Sequence, residues 1–193
     1  MVPLGVDGDP DAQDGSSSDR VQMTPDSHQR RTSRYRMSSD LAVVEGDFFV
    51  LNDAGEHVYR ISGRALWHDD TIQISDLRSN VLYAANVHAA WKRDRVVIVD
   101  GSGLERAAVV RVPISTLRDR FCVELRQGQE LEVEGSVSTH EYSIEGPSGT
   151  VAEVSQRWFH AKGSYGVEAV NDEDQALLLT TVLVLDQLIF GGR

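Results

Sequence analysis

Between Arg34 and Val170, apolar and polar residues alternate in short runs that turn residues interrupt. NDAG (52–55) separates DFFVL from EHVYRI, and DLRSN (76–80) separates TIQIS from VLYAANV. DGSG (100–103), RQGQ (126–129) and GPSG (146–149) divide the following runs in the same way. Asn, Asp and Gly tolerate the backbone conformations of tight turns, and the flanking residues favour pleated strands, so each junction predicts a hairpin. Phe121, Val123 and Leu125 share one face of their run, with Cys122 and Glu124 on the other. Leu131/Val133 against Glu132/Glu134, and Tyr165/Val167/Ala169 against Gly166/Glu168, repeat that pattern. Period-two alternation gives each strand one wet and one buried face, as in an antiparallel sheet. With a first strand around 34–44 and a last around 164–170, the sum is about twelve strands. So large a sheet tends to close, and a closed barrel of that size has an interior too wide for strand side chains alone to fill.

The chain supplies a filling. QALLLTTVLVLDQLIF (175–190) is apolar on every side up to Asp186, and Asn171, Asp172 or Asp174 can cap it. Helix is therefore expected over about 172–190, closed by Gly191-Gly192. The uninterrupted run from Ala176 to Leu185 would be about 15 Å long. A bilayer core is about 30 Å thick and calls for about 20 apolar residues. An all-round apolar helix too short for a membrane belongs in a protein core. Burial would stabilise each large side chain by roughly 1.5–3 kcal/mol. Asp186 and Gln187 then require a place near a barrel mouth or hydrogen bonds from strand backbone, because an unpaired buried carboxylate costs several kcal/mol. The predicted fold is mainly β: a twelve-stranded antiparallel closed barrel enclosing a hydrophobic C-terminal α-helix.

Residues 1–33 are rich in Asp, Ser, Gly, Gln and Pro, with few large apolar residues, and predict a disordered polar tail before a domain over 34–193. Within it, Asp7, Asp9 and Asp11 have calcium-loop spacing, but Ala12 and Ser18 replace the turn glycine and the bidentate glutamate. The 193 residues carry 30 acidic against 19 basic groups, a formal charge of −11. That balance disfavours nucleic acid as a partner and nonspecific attachment to anionic membrane. The single cysteine, Cys122, excludes an intramolecular disulfide and fits a reducing cytoplasm. The first residues have neither a basic nor an apolar signal region, so no signal peptide is expected.

Several stretches taken in order resemble the LURP-one-related family, whose tubby C-terminal-like barrel is shared with phospholipid scramblases. They are RYRM (34–37), GDFFVLNDAGEHVYRISGRAL (46–66), LRDRFCVE (117–124), LEVEGSVSTHEYSIE (131–145), VAEVSQRWF (151–159), SYGVE (164–168) and LVLDQLIF (183–190). The resemblance covers about 34–190 and implies a twelve-stranded barrel around a central C-terminal helix. ALWHDD (65–70) and HAAWKRDR (88–95) depart from the family pattern, with fewer basic residues than it has there.

Chemistry-bearing patterns are sparse. The six histidines lack zinc-ligand spacing, and His68-Asp69-Asp70 reads as a solvated turn. No serine sits in a GxSxG elbow, and no glycine-rich turn leads into a Lys-Ser/Thr helix. Glu132, Glu134, Glu141 and Glu145 fall at outward strand positions. Neither a catalytic constellation, a metal site nor a cofactor is expected. Two basic clusters remain: Arg30, Arg31, Arg34 and Arg36, and Lys92, Arg93 and Arg95 beside Trp91. Tubby-like proteins bind phosphoinositides through basic residues on the barrel wall, so the resemblance makes Arg34, Arg36, Lys92, Arg93 and Arg95 candidate contacts for a phosphoinositide or other anionic lipid. Against this, the residues also suit exposed positions paired with Asp94 and Asp100.

The leading expectation is a non-catalytic cytoplasmic barrel acting as an interaction module, with a protein partner or peripheral anionic lipid. The alternatives are a scramblase-like protein whose helix enters the bilayer, and a small-molecule binder or enzyme using a cavity beside the helix.

Overall fold

The computed structural model describes residues 30–38, 47–62, 71–87, 95–115, 118–159 and 163–190. The strands are β1 (Thr32–Ser38), β2 (Phe48–Asn52), β3 (His57–Ile61), β4 (Thr71–Ser75), β5 (Val81–Asn86) and β6 (Arg95–Asp100). They continue as β7 (Glu105–Ser115), β8 (Arg118–Leu125), β9 (Glu130–Ser136), β10 (Glu141–Gly146), β11 (Gly149–Ser155) and β12 (Ser164–Val170). One helix, α1 (Gln175–Phe190), follows. Each strand pairs antiparallel with its sequence neighbours, and β12 pairs with β1 to close the barrel. That closing ladder runs from Thr32↔Val170 to Ser38↔Ser164. Closure leaves no open sheet edge to template the pairing of another chain.

The first strand starts at Thr32, so Thr32 and Ser33 belong to the barrel although composition assigns them to the tail. Composition reads bulk polarity; pairing with Val170 and Ala169 is what holds these two in the sheet. The turns expected from sequence are present. Gly55 N–H donates to Asn52 O at 2.9 Å, Gly103 N–H to Asp100 O at 2.8 Å and Gly128 N–H to Leu125 O at 2.9 Å. All three glycines have positive φ, which a residue with a Cβ adopts only with strain.

Inside the barrel, α1 forms the core with the inward residues of the wall. Leu179, Val182, Leu183, Val184 and Leu185 are fully buried. The helix runs beside β4, β5, β6, β7 and β12. Alanines at the inward positions Ala85, Ala107 and Ala169 keep the wall thin where β5, β7 and β12 face it. The two buried threonines are satisfied within the helix: Thr180 Oγ1 donates to Ala176 O at 2.7 Å and Thr181 Oγ1 to Leu177 O at 3.0 Å. With these hydroxyls turned onto its own backbone, the helix presents an apolar surface all round as far as Asp186.

Asp174 is the N-cap. Its Oδ1 accepts from Leu177 N–H at 3.0 Å, while Tyr83 Oη donates to its Oδ2. Tyr35 Oη donates to Gln175 Oε1, so two strands grip the helix entrance through phenols. Burial, followed by the bond to Asp174, raises the Tyr83 phenol well above its ordinary value and keeps it a donor.

Candidate functional site

The two ends of the barrel are built differently. At one end lie the five tight hairpins and the entrance of α1. At the other, the strands flanking 39–46, 63–70 and 88–94 end, together with a 3-10 turn at Val137–Thr139 and another at Gln156–Trp158. Long connections held by a rigid wall are where binding residues concentrate, so this second end is the place to look. Trp91, Lys92 and Arg93, the acidic loop at 7–18 and His68-Asp69-Asp70 lie outside the described residues.

The far end of α1 carries a buried polar cluster that sequence reasoning did not assemble. Asp186 Oδ2 accepts a 2.5 Å hydrogen bond from Tyr165 Oη. Its Oδ1 lies 3.1 Å from His140 Nε2, within ion-pair range, although the ring N–H is not aligned on that oxygen. His140 follows the Val137–Thr139 turn in a left-handed conformation with φ of 50°, so β9 and β10 are joined through a strained residue. Its ring lies between Tyr165, at 4.4 Å, and Phe190, at 5.3 Å. Gln156 Nε2 lies at hydrogen-bonding distance, 3.0 Å, from His140 Nδ1. Burial and the Asp186 charge hold the Tyr165 and Tyr142 phenols far above their usual range, so both remain protonated. Asp186 is thus near a barrel mouth, as the sequence requires, but side chains rather than strand backbone supply its partners. The readable signal was Asp186 itself, an acid in an otherwise apolar helix. Which residues answer it depends on barrel closure.

On the outer wall, the 3-10 turn Gln156–Trp158 that follows β11 packs over β12. Trp158 and Phe159 rest on Gly166, where a Cβ would meet Trp158 Cε3 at 2.6 Å and Phe159 Cε2 at 2.9 Å. Glycine is required here for space. The Arg34 guanidinium stands 4.6 Å from the Trp158 ring and that of Arg36 5.8 Å from the Phe159 ring. The two arginines share the outward face of β1 with Tyr35 and Met37 turned inward. Arg34 is bound to Glu168 through Nη2 at 2.5 Å and Nε at 3.1 Å. That bond, more than its partial burial, holds the Glu168 carboxyl below its ordinary value. Arg36 has no carboxylate within ion-pair distance among the described residues.

Arg95 opens β6 at the long-connection end. Its Nη2 is 2.7 Å from Glu105 Oε1 and its Nε 3.3 Å from Glu124 Oε2, so both edges of the guanidinium are occupied. Its partners among the described residues are on β7 and β8; Asp100, one partner the sequence suggested, instead faces Arg106, at 3.7 Å, and Asp94 lies outside the described residues. Of the candidate cations in the described residues, the wall therefore gathers Arg34 and Arg36 beside one aromatic pair. Arg95 lies on a separate strand, neutralised. The grooves found here are polar and outside the barrel, one lined by Arg95, Glu105, Glu124 and Arg126, the other by Glu134, Glu141, Glu145 and Glu153. Cys122 is 9% exposed and lies outside the interior cluster, where burial and then Glu130 push its thiol up to about 11. A thiol so far above neutral pH is a poor nucleophile.

Comparison with solved structures finds the same fold in a protein from Arabidopsis thaliana determined by X-ray crystallography, with a TM-score of 0.60 and 15% identity. The alignment covers 82% of this chain and 92% of that one. No curated protein sequence matches significantly. The LURP-one-related family profile matches residues 34–186, which is most of the barrel and α1 up to Asp186. The chain belongs to the LURP-one-related family.

Proposed function

We propose that this protein is a non-catalytic interaction module that works through its outer wall and long-connection end, touching anionic lipid peripherally. The observation that carries this reading is the filled interior. Leu179, Val182, Leu183, Val184 and Leu185 occupy the space that a ligand-carrying barrel leaves open, which directs recognition to the exterior. A reducing, cytoplasmic setting is supported by the lone cysteine, Cys122.

For lipid contact, Arg36 is the described cation best placed, because Arg34 and Arg95 are already neutralised by Glu168, Glu105 and Glu124. A headgroup phosphate would bridge to Arg36 beside Phe159, with Lys92 and Arg93 as further expected contacts. Flotation with vesicles of neutral lipid, with and without phosphatidylserine or a phosphoinositide, tests this. The account expects the full chain to float with the anionic vesicles, and Arg36→Glu combined with Lys92→Glu and Arg93→Glu to lower the bound fraction several-fold. It expects Arg95→Glu to change little. A full chain that stays at the bottom of the gradient with every vesicle would remove lipid from the account.

The scramblase-like alternative requires α1 to leave the barrel. No helix among the described residues is long and apolar enough to cross a membrane. Retention of the protein in membranes after a carbonate wash would favour that alternative.

A further inference from the structure

The outward residues of the first three strands form a band of apolar and cationic side chains. On β2, Val50 points into the core, so Phe49 and Leu51 point out. Phe49 is 38% exposed, and Leu51, half-buried, takes no part in the interior cluster. Leu51 is paired with Arg36 on β1 and with His57 on β3, and Phe49 is paired with Arg60. The His57 ring stacks on Phe49 with centroids 4.2 Å apart, and Phe159 lies beside Arg36 on the other flank. Phe159, Arg36, Leu51, Phe49 and Arg60 therefore follow one another from the β12 side of the wall to β3.

The chain carries a formal charge of −11, yet this face is locally basic. Its arginines, Arg34, Arg36 and Arg60, meet two carboxylates among the described residues, Glu168 at 2.5 Å and Asp47 at 3.5 Å. Further round the barrel, the outer side of β9, β10 and β11 carries Glu134, Glu141, Glu145 and Glu153. Of these four, only Glu141 meets an arginine among the described residues, Arg157 at 3.4 Å. An anionic surface attracts the first face and repels the second, so the charge distribution gives the barrel one orientation on it. A bilayer interface accepts both kinds of side chain at once: phosphates move to the guanidiniums while apolar tips enter the boundary of headgroups and acyl chains. A protein partner would instead have to hold a carboxylate fixed opposite Arg36 as it buried Phe49.

Building on the reading of this protein as a peripheral binder of anionic lipid, we propose that the outer face of β1, β2 and β3 is the surface that meets the bilayer. Phe49 and Leu51 are the apolar insertion, and Arg36 and Arg60 the headgroup contacts on either side. The Asp47 carboxylate beside Arg60 is 41% exposed, so a phosphate shares that guanidinium without displacing a buried partner. Neither Phe49 nor Leu51 belongs to the core, so shortening them should leave the fold intact. Arg95, on β6, lies outside this face, in keeping with the small effect expected of its replacement.

The test uses the full chain and vesicles of phosphatidylcholine, with or without phosphatidylserine. In a Cys122→Ser background, an environment-sensitive fluorophore is attached at Phe49→Cys or, as a control on the acidic side, at Glu134→Cys. The Phe49 label should brighten and shift to the blue with the anionic vesicles alone, and the Glu134 label should not respond. Phe49→Ser combined with Leu51→Ser should lower the floated fraction several-fold with an unchanged melting midpoint. Leu104→Ser, at an exposed leucine between β6 and β7, should leave flotation unchanged. A full chain that floats while the Phe49 label stays silent and the double variant floats equally would overturn this face and leave lipid binding standing. A full chain that floats with no vesicle would remove both. A Phe49 label that responds to protein concentration instead of vesicles would make the face a contact between copies of this chain, and would likewise overturn the proposal.

Discussion

Gly166 shows how one residue positions the half-buried aromatic and cationic side chains of the outer wall. Its missing side chain is the space that Trp158 and Phe159 fill, and their rings in turn seat Arg34 and Arg36. Gly166→Ala should destabilise the fold by about 1–3 kcal/mol, since the new methyl meets ring carbons within a packed layer. Tryptophan fluorescence in the native state should shift as Trp158 lifts; an unchanged spectrum and melting midpoint would contradict this packing. Glu168, on the next outward position of β12, supplies a pH effect. Its folded pKa lies below the ordinary 4.5, so the Arg34 bond stabilises the folded state above that value and the contribution is lost as pH falls through the depressed pKa. The pair is partly exposed, and its contribution is correspondingly about 1 kcal/mol or less. Arg34→Ala should therefore cost that amount more at neutral pH than once Glu168 is protonated, the contact with Trp158 being lost at both, as measured by urea unfolding at the two pH values.

At the scale of elements, the ends of α1 differ in how far sequence reveals them. The start is local: Asp174 caps the third residue of the helix through a short-range bond, and capping residues before an apolar run are a readable signal. Asp174→Ala should cost about 0.5–2 kcal/mol for the cap alone, with further loss as Tyr83 gives up its acceptor. Denaturant titration reads this directly; an Asp174→Ala loss as large in a Tyr83→Phe background as in the unaltered chain would show that the phenol adds nothing. The far end is non-local. Asp186 announces a need for partners, but His140, Tyr142 and Tyr165 are brought to it by β10 and β12 closing around the helix. Hairpins were legible because Asn, Asp and Gly encode a turn within a few residues. The placement of Trp158 over Gly166 was not, because the path of the β11–β12 connection depends on the finished wall. Arg34 and Arg36 could be read as outward from alternation, whereas the carboxylate that neutralises Arg34 comes from the last strand.

At the scale of the molecule, barrel and helix each supply what the other lacks. A twelve-stranded wall leaves a wide interior, and an all-round apolar helix has no polar face to offer water. Their assembly places Leu179, Val182, Leu183, Val184 and Leu185 beyond solvent. Removing the helix would expose the inward side chains of the wall as one continuous apolar surface. The most direct measurement is thermal and urea unfolding of a chain truncated after Asp174, compared with the full chain. The account predicts a truncated chain with no cooperative transition, aggregated or collapsed without fixed packing. A truncated chain that stays soluble, monomeric and cooperatively melting would show that the barrel stands without its plug, and would contradict the central claim.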